Sequence, residues 1–178
     1  LGRIGVRIVA HAIEIAGIRA NRCDYDFIEQ NPVRCGDPDS APLMEQAILD
    51  ARAAKDSVGG IIQLEIYGLP PGLGDPVFGK LDARLCSAIM TIGAIKGVEV
   101  GDGFAITKLR GSQANDGMSE EGFTSNHHGG ILGGISSGAP VIMRVAVKPT
   151  ASIATQQDTI TVDGEPCEVE VKGRHDPC

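Results

Sequence analysis

Tryptophan is absent from these 178 residues, and there are only two tyrosines and four phenylalanines. Any core must therefore be aliphatic. Adjacent basic residues are absent too: no lysine or arginine sits next to another, and the formal net charge is −7. Nucleic-acid binding relies on clustered cations facing phosphates, so a nucleic-acid partner is excluded as an expectation, although a local pocket for a small anion is not. The five cysteines are odd in number and form no C-x-x-C pair. That pattern argues against a disulfide framework and fits a reducing compartment, the cytoplasm or a plastid. No apolar run is long enough to span a bilayer, so no membrane association is expected. There is no signal-peptide pattern and no initiating Met. With the abrupt end at Cys178, this reads as a piece of a longer protein.

What is present is ordinary for a folded domain: 42% hydrophobic and 22% charged residues, with 24 glycines spread among apolar runs. The length suffices for one domain with a real core, a single and partial domain over 1–178. Gly5 to Ile18 alternates Val6, Ile8, Ala10 and Ala12 and leans to a strand, with His11 a structural residue on it. Arg19 to Ala41 is polar and irregular. Leu43 to Lys55 predicts a helix with Leu43, Ala47, Ile48, Ala51 and Ala54 facing inward. Ser57 to Gly60 reads as a turn and Ile61 to Tyr67 as a strand. Leu69 to Pro76 reads as a rigid proline- and glycine-rich loop. Leu81 to Ile92 predicts a second helix, buried through Leu81, Leu85, Ala88, Ile89 and Ile92. Lys96 to Val100 is a short strand, Phe104 to Leu109 a short helix, and Ser112 to Asn126 a mobile polar loop. Ile142 to Val147 is a strand, and a hairpin turns at Asp163-Gly164. Without a steady strand–helix alternation, the fold class expected is α+β, with antiparallel β-sheet layers packed against helices.

Three stretches carry candidate chemistry. Gly129 to Gly138 reads GGILGGISSG. Such glycines admit close backbone approach to a phosphate or a flat ring, or simply pack a strand tightly against its neighbour. No Walker motif is present, because Ala139 and Pro140 follow where Lys and Ser/Thr are needed. Lys148 to Ser152 reads KPTAS, a strand end and proline turn offering one cation and two hydroxyls, either an anion cradle or a surface turn. The last, Lys172 to Cys178, reads KGRHDPC. Arg174 can fork onto a phosphate or carboxylate, and Asp176 is held by Pro177, although Arg and Asp so placed also form ordinary surface pairs. His127, His128, His175 and Cys178 match no zinc spacing, so no metal is assigned.

Taken together, DSVGG (Asp56 to Gly60), GLPPGLGDPVFGKLDARL (Gly68 to Leu85), IKGVEVGDGF (Ile95 to Phe104), RGSQ (Arg110 to Gln113), TSNHHGGILGGISSG (Thr124 to Gly138), VKPTASI (Val147 to Ile153) and KGRHDPC resemble the chorismate synthase family, in family order. The resemblance implies a partial form of that family's β-α-β sandwich and a place in a lyase of the shikimate pathway, which leads to the aromatic amino acids. The family removes phosphate and a proton from 5-enolpyruvylshikimate 3-phosphate, giving chorismate, and requires reduced FMN although the reaction is redox-neutral. It also implies a homotetramer.

Carried over residue by residue, the resemblance puts flavin contacts on Gly93 and Ala94, on Gly133, on Lys148, Pro149, Thr150, Ala151 and Ser152, and on Arg174. Arg174 is also expected to meet the substrate's anionic groups, and Asp176 to serve as a catalytic residue in a proton relay beside the flavin. Gly93 is commonly a larger residue in the family, and His128 stands where many members have a small one. The family's catalytic histidines, its arginine-rich substrate loop and its serine-rich flavin segment are expected upstream of Leu1, and a further helix after Cys178. The isolated chain is therefore expected to be catalytically incomplete. The family's flavin is reduced either with NADPH by the enzyme itself or by an outside donor, and these residues do not choose between the two.

Overall fold

The structure is a computed structural model that describes residues 2–171 and 173. Backbone contacts divide it into two compact units. One is built from the residues up to His11 together with Ile62–Ala146, the other from Ala12–Ile61 together with the residues from Val147 on.

The chain runs through β1 (Arg7–Ile15), β2 (Ile18–Arg19), α1 (Ala41–Ala53), β3 (Gly60–Tyr67), α2 (Leu81–Met90) and β4 (Ile95–Val100). A 3-10 turn, Gly103–Lys108, follows, then α3 (Gly111–Ala114), β5 (Met118–Ser119) and β6 (Gly122–Phe123). The remainder is β7 (Ile131–Leu132), β8 (Ile135–Ser136), β9 (Val141–Val147), β10 (Gln157–Ile160) and β11 (Pro166–Val169). The largest sheet has the order β2-β1-β3-β9-β4, and the short hairpins β5-β6, β7-β8 and β10-β11 form separate two-stranded sheets. β1 pairs antiparallel with β2, as do the strands of each hairpin. This is the α+β architecture with antiparallel sheet that the pattern predicts. The last hairpin sets Thr159 against Cys167, as expected for a turn at Asp163-Gly164.

In the first unit Val6, Ile66, Ile131, Val141 and Met143 form the buried core, and α2 covers it with Leu81, Leu85, Cys86 and Ile89. Ala88 and Ile92, predicted on that face, are exposed instead: Cys86 takes an inward position beside Leu85, and Ile92 lies past the end of α2 at Met90. In the second unit Ala12, Ile15, Cys35, Ala41 and Met44 form the core. The inward stripe of α1 therefore runs Ala41, Met44, Ile48, at helical spacing. Leu43, predicted inward, is 58% exposed, while Met44 is 0% exposed. One residue is a rotation of about 100° on a helix, so these neighbours cannot share a face.

Two further expectations change. Ser57 to Gly60 form no turn: Gly60 opens β3, and the turn after α1 lies at Ala54 and Lys55. Residues 112–126, predicted as a mobile loop, contain the last residues of α3 and the hairpin β5-β6.

The polar stretch before α1 is irregular, as expected, yet it has a buried organiser. The Asp37 carboxylate is 1% exposed and accepts from the backbone N–H of Asn21 at 2.9 Å, the Ser40 hydroxyl at 2.8 Å and the backbone N–H of Asp39 at 3.1 Å. The Asn21 amide leads the bonds that hold its pKa far below the ordinary carboxylate value, against the opposing effect of burial.

Candidate functional site

The glycine stretch folds into a tight hairpin. Leu132 pairs with Ile135, leaving Gly133 and Gly134 as a two-residue turn with φ of 60° and 87°. Two consecutive positive φ values define a type I′ turn, which side-chain-bearing residues other than Asn and Asp resist. A Cβ added at Gly133 would meet nothing within 4 Å, so the tip offers bare backbone to open space. Gly93 offers the same: a Cβ there would also meet nothing within 4 Å. Next to it Ala94 takes φ 68°, a left-handed conformation uncommon for a residue with a side chain. The turn that carries both follows α2, whose packing on β4 sets its position.

The hairpin is held by its surroundings. Ser136 lies beside the loop predicted to be rigid, donating its hydroxyl to the Pro70 carbonyl at 2.6 Å and accepting the Leu73 N–H at 2.9 Å. Upstream, Asn126 accepts the Gly130 N–H at 2.7 Å and donates to the Pro140 carbonyl at 2.8 Å, closing the loop on itself. Both histidines of the stretch are turned to carboxylates. His127 Nδ1 lies 2.6 Å from Asp102, and His128 Nδ1 lies 3.0 Å from Asp116.

Asp116 is the stronger anchor. Its carboxylate also accepts the backbone N–H of His127 at 2.7 Å, that of His128 at 3.0 Å and the Ser125 hydroxyl at 2.8 Å. Burial works to raise its pKa; the hydrogen bonds from His128, Ser125 and His127 outweigh it and hold the carboxyl at about 2.

A second buried polar group lies between β1 and β3. His11 Nε2 is 3.3 Å from Glu65 Oε1, which also accepts Gln63 Nε2 at 2.6 Å, and the Tyr67 hydroxyl donates to the other Glu65 oxygen. Gln63, Glu65 and Tyr67, the odd positions of β3, are thus joined to one another and to His11, which is structural on its strand as expected.

In the second unit the KPTAS turn leaves β9. The Ser57 hydroxyl donates to the Thr150 carbonyl at 2.6 Å, tying DSVGG to this turn. The Lys148 ammonium folds back to the Pro149 carbonyl at 3.1 Å, and Ile153 N–H bonds the Ala151 carbonyl at 3.1 Å. Among the described residues the Thr150 and Ser152 hydroxyls have no hydrogen-bond partner. Free hydroxyls beside a surface ammonium suit an anionic ligand, as bare backbone suits a flat ring. Taken separately, the first place suits a flat ring and the second an anionic group, both of which a flavin mononucleotide carries. Arg174 and Asp176 lie outside the described residues. Gly93, Ala94 and Gly133 belong to the first unit, and Lys148 through Ser152 to the second.

Asp116, Asp37 and Ser136 were not singled out by the sequence. The partners of Asp116 and Ser136 lie nine to 66 residues away, and Asp37 joins neighbours at Asp39 and Ser40 to Asn21, 16 residues back, so local pattern does not reveal them. The one sequence signal was the pair of polar residues, Ser136 and Ser137, inside an otherwise glycine and aliphatic run.

Comparison with known proteins follows from this geometry. The sequence model of the family described as chorismate synthase matches residues 1–178. The chorismate synthase of Methanothermobacter thermautotrophicus is 46% identical over 188 residues, taking in 100% of this chain and 50% of that protein. The chorismate synthase of Chloroflexus aggregans is 50% identical over 182 residues, taking in 99% of this chain and 50% of that protein. A crystal structure of chorismate synthase matches with a TM-score of 0.76 at 30% identity, over 85% of this chain and 51% of that one. The chain spans about half the length of the curated relatives it matches.

Proposed function

This chain belongs to the chorismate synthase family, and from that premise we propose that it supplies part of the flavin and substrate site of a lyase converting 5-enolpyruvylshikimate 3-phosphate to chorismate and phosphate. The observation that carries the reading is the match of every residue, 1–178, to one enzyme family.

In this reading Gly93, Ala94 and Gly133 bring backbone close to the isoalloxazine ring. Lys148 and Arg174 meet anionic groups, with the Thr150 and Ser152 hydroxyls as neutral donors and Pro149 and Ala151 shaping the turn. Arg174 also orients the substrate's anions, and Asp176 holds a proton in the relay. Reduced FMN, when bound, supplies electron density to the substrate as the phosphate leaves. The protein's contribution is to fix two anionic partners against each other and keep water out.

The 178 residues alone bind without turning over, since they span half the length of the relatives. The intact protein is a homotetramer in a reducing, aqueous compartment. Cys35, Cys86 and Cys167 are free thiols, and among the described residues no helix is long and apolar enough to cross a membrane. Light scattering that returned a monomer would remove the tetramer from this reading.

The test is an anaerobic assay of the full-length protein with 5-enolpyruvylshikimate 3-phosphate and reduced FMN. Chorismate and inorganic phosphate should appear in equal amounts, and neither with oxidised FMN. Absence of phosphate release from folded, flavin-loaded protein would refute the reading.

A further inference from the structure

We propose that Ser136 is a positioning residue of the flavin site, locking the loop at Pro70 to Gly74 onto the glycine hairpin so that the Gly133 tip is held in one place. The inference rests on the reading of Gly133 as a flavin contact.

The hairpin cannot fix itself. β7 and β8 have two residues each, and their ladder contains only the pairs Ile131–Ser136 and Leu132–Ile135. Isolated two-stranded hairpins are marginal even when much longer. The tip conformation must be imposed from outside, and Ser136 is where that happens. Its side chain is buried, with the residue 1% exposed, and its hydroxyl both donates to Pro70 O at 2.6 Å and accepts from Leu73 N at 2.9 Å. Its backbone is used as well: Ser136 N–H bonds Leu73 O at 2.9 Å, and Ser136 O accepts Gly72 N–H at 2.8 Å. The loop thus pairs with β8 along its outer side, and the hydroxyl fastens the crossing.

The turn is pinned a second time through Gly134, whose carbonyl accepts the Leu81 N–H, the first of α2, at 2.8 Å. Gly74 makes that approach sterically possible, because a Cβ there would stand 2.3 Å from the same carbonyl oxygen. What remains unfastened is Gly133, facing open space between two fixed residues. The clamping of the proline and glycine loop onto β8 therefore has a specific consequence: it holds a ligand-facing amide still, which lowers the ordering cost of binding.

Ser136→Ala removes the hydroxyl that satisfies two loop groups and loosens the clamp on the tip, although the backbone bonds remain. In the full-length protein, FMN titration by flavin fluorescence should show a dissociation constant raised about tenfold, the equivalent of one well-placed hydrogen bond. The absorbance envelope of the bound flavin should shift towards that of free FMN. Ser136→Thr, which keeps the hydroxyl, should restore both affinity and spectrum. Ser136→Cys, a weaker donor of similar size, should fall between. A merely structural serine would lower thermal stability while leaving the spectrum and affinity of the folded fraction as in wild type, and that result overturns the proposal. If Ser136→Ala does not fold, unchanged binding and spectrum in folded Ser136→Cys overturn it equally. Wild-type protein that binds no FMN would instead sink the flavin reading, so the two failures are told apart.

Discussion

Two buried aspartates do much of the local organising, and each is a group whose folded pKa lies below its unfolded one. A carboxylate of this kind stabilises the fold fully above its unfolded value, and the contribution is lost as pH falls through the folded value. For Asp116 the window runs from the ordinary 3.8 down to about 2. The side chain is 4% exposed, so solvent screens little of this. Asp116→Asn should lower the unfolding free energy by about 2 kcal/mol at neutral pH, and the gap to wild type should narrow as the medium is taken to strong acid. Urea melts at pH 7 and in acid check it; an equal gap at both would contradict the assignment. Asp37 adds to acid lability in the same direction. Neither residue was legible beforehand. Asp116 precedes Gly117 and looks like half of a turn, and its role depends on Ser125, His127 and His128 arriving from further along the chain. By contrast, His11 was read as structural on its strand, and it is 3% exposed there.

At the scale of elements, pattern located helices and strands well and their faces less well. The second strand of the reading, Ile61 to Tyr67, and the last hairpin stand where expected, since β-branched alternation and an Asp-Gly turn are local signals. The face of α1 was misassigned because Leu43 and Met44 are both apolar and adjacent, and only the packed core decides between them. The consequence is measurable. Met44→Ala, at a fully buried position, should cost about 2–5 kcal/mol of stability, while Leu43→Ala should stay within about 0.5 kcal/mol. Denaturant midpoints of the two variants check this, and a larger loss for Leu43→Ala would restore the face read from sequence. The short elements between residues 111 and 123 escaped notice for a different reason: each is two to four residues long, and such pieces are set by side-chain bonds rather than by periodicity.

At the scale of the whole molecule, the family was legible because motifs in fixed order carry more information than any one of them. The match across residues 1–178 and the TM-score of 0.76 with a solved chorismate synthase agree with that reading. The residues expected at the site fall in two units and in the stretch beyond the described residues, and only the resemblance links them. The proposal on which the account turns is that residues from each of these pieces contribute to flavin binding in the full-length protein. The direct measurement is FMN affinity of the full-length protein carrying, one at a time, Gly133→Val, Lys148→Met and Arg174→Met, each first shown to be folded. The account predicts that all three weaken FMN by about tenfold or more, by filling the space at the hairpin tip or by removing a charge-assisted contact. Wild-type affinity in all three folded variants would contradict it.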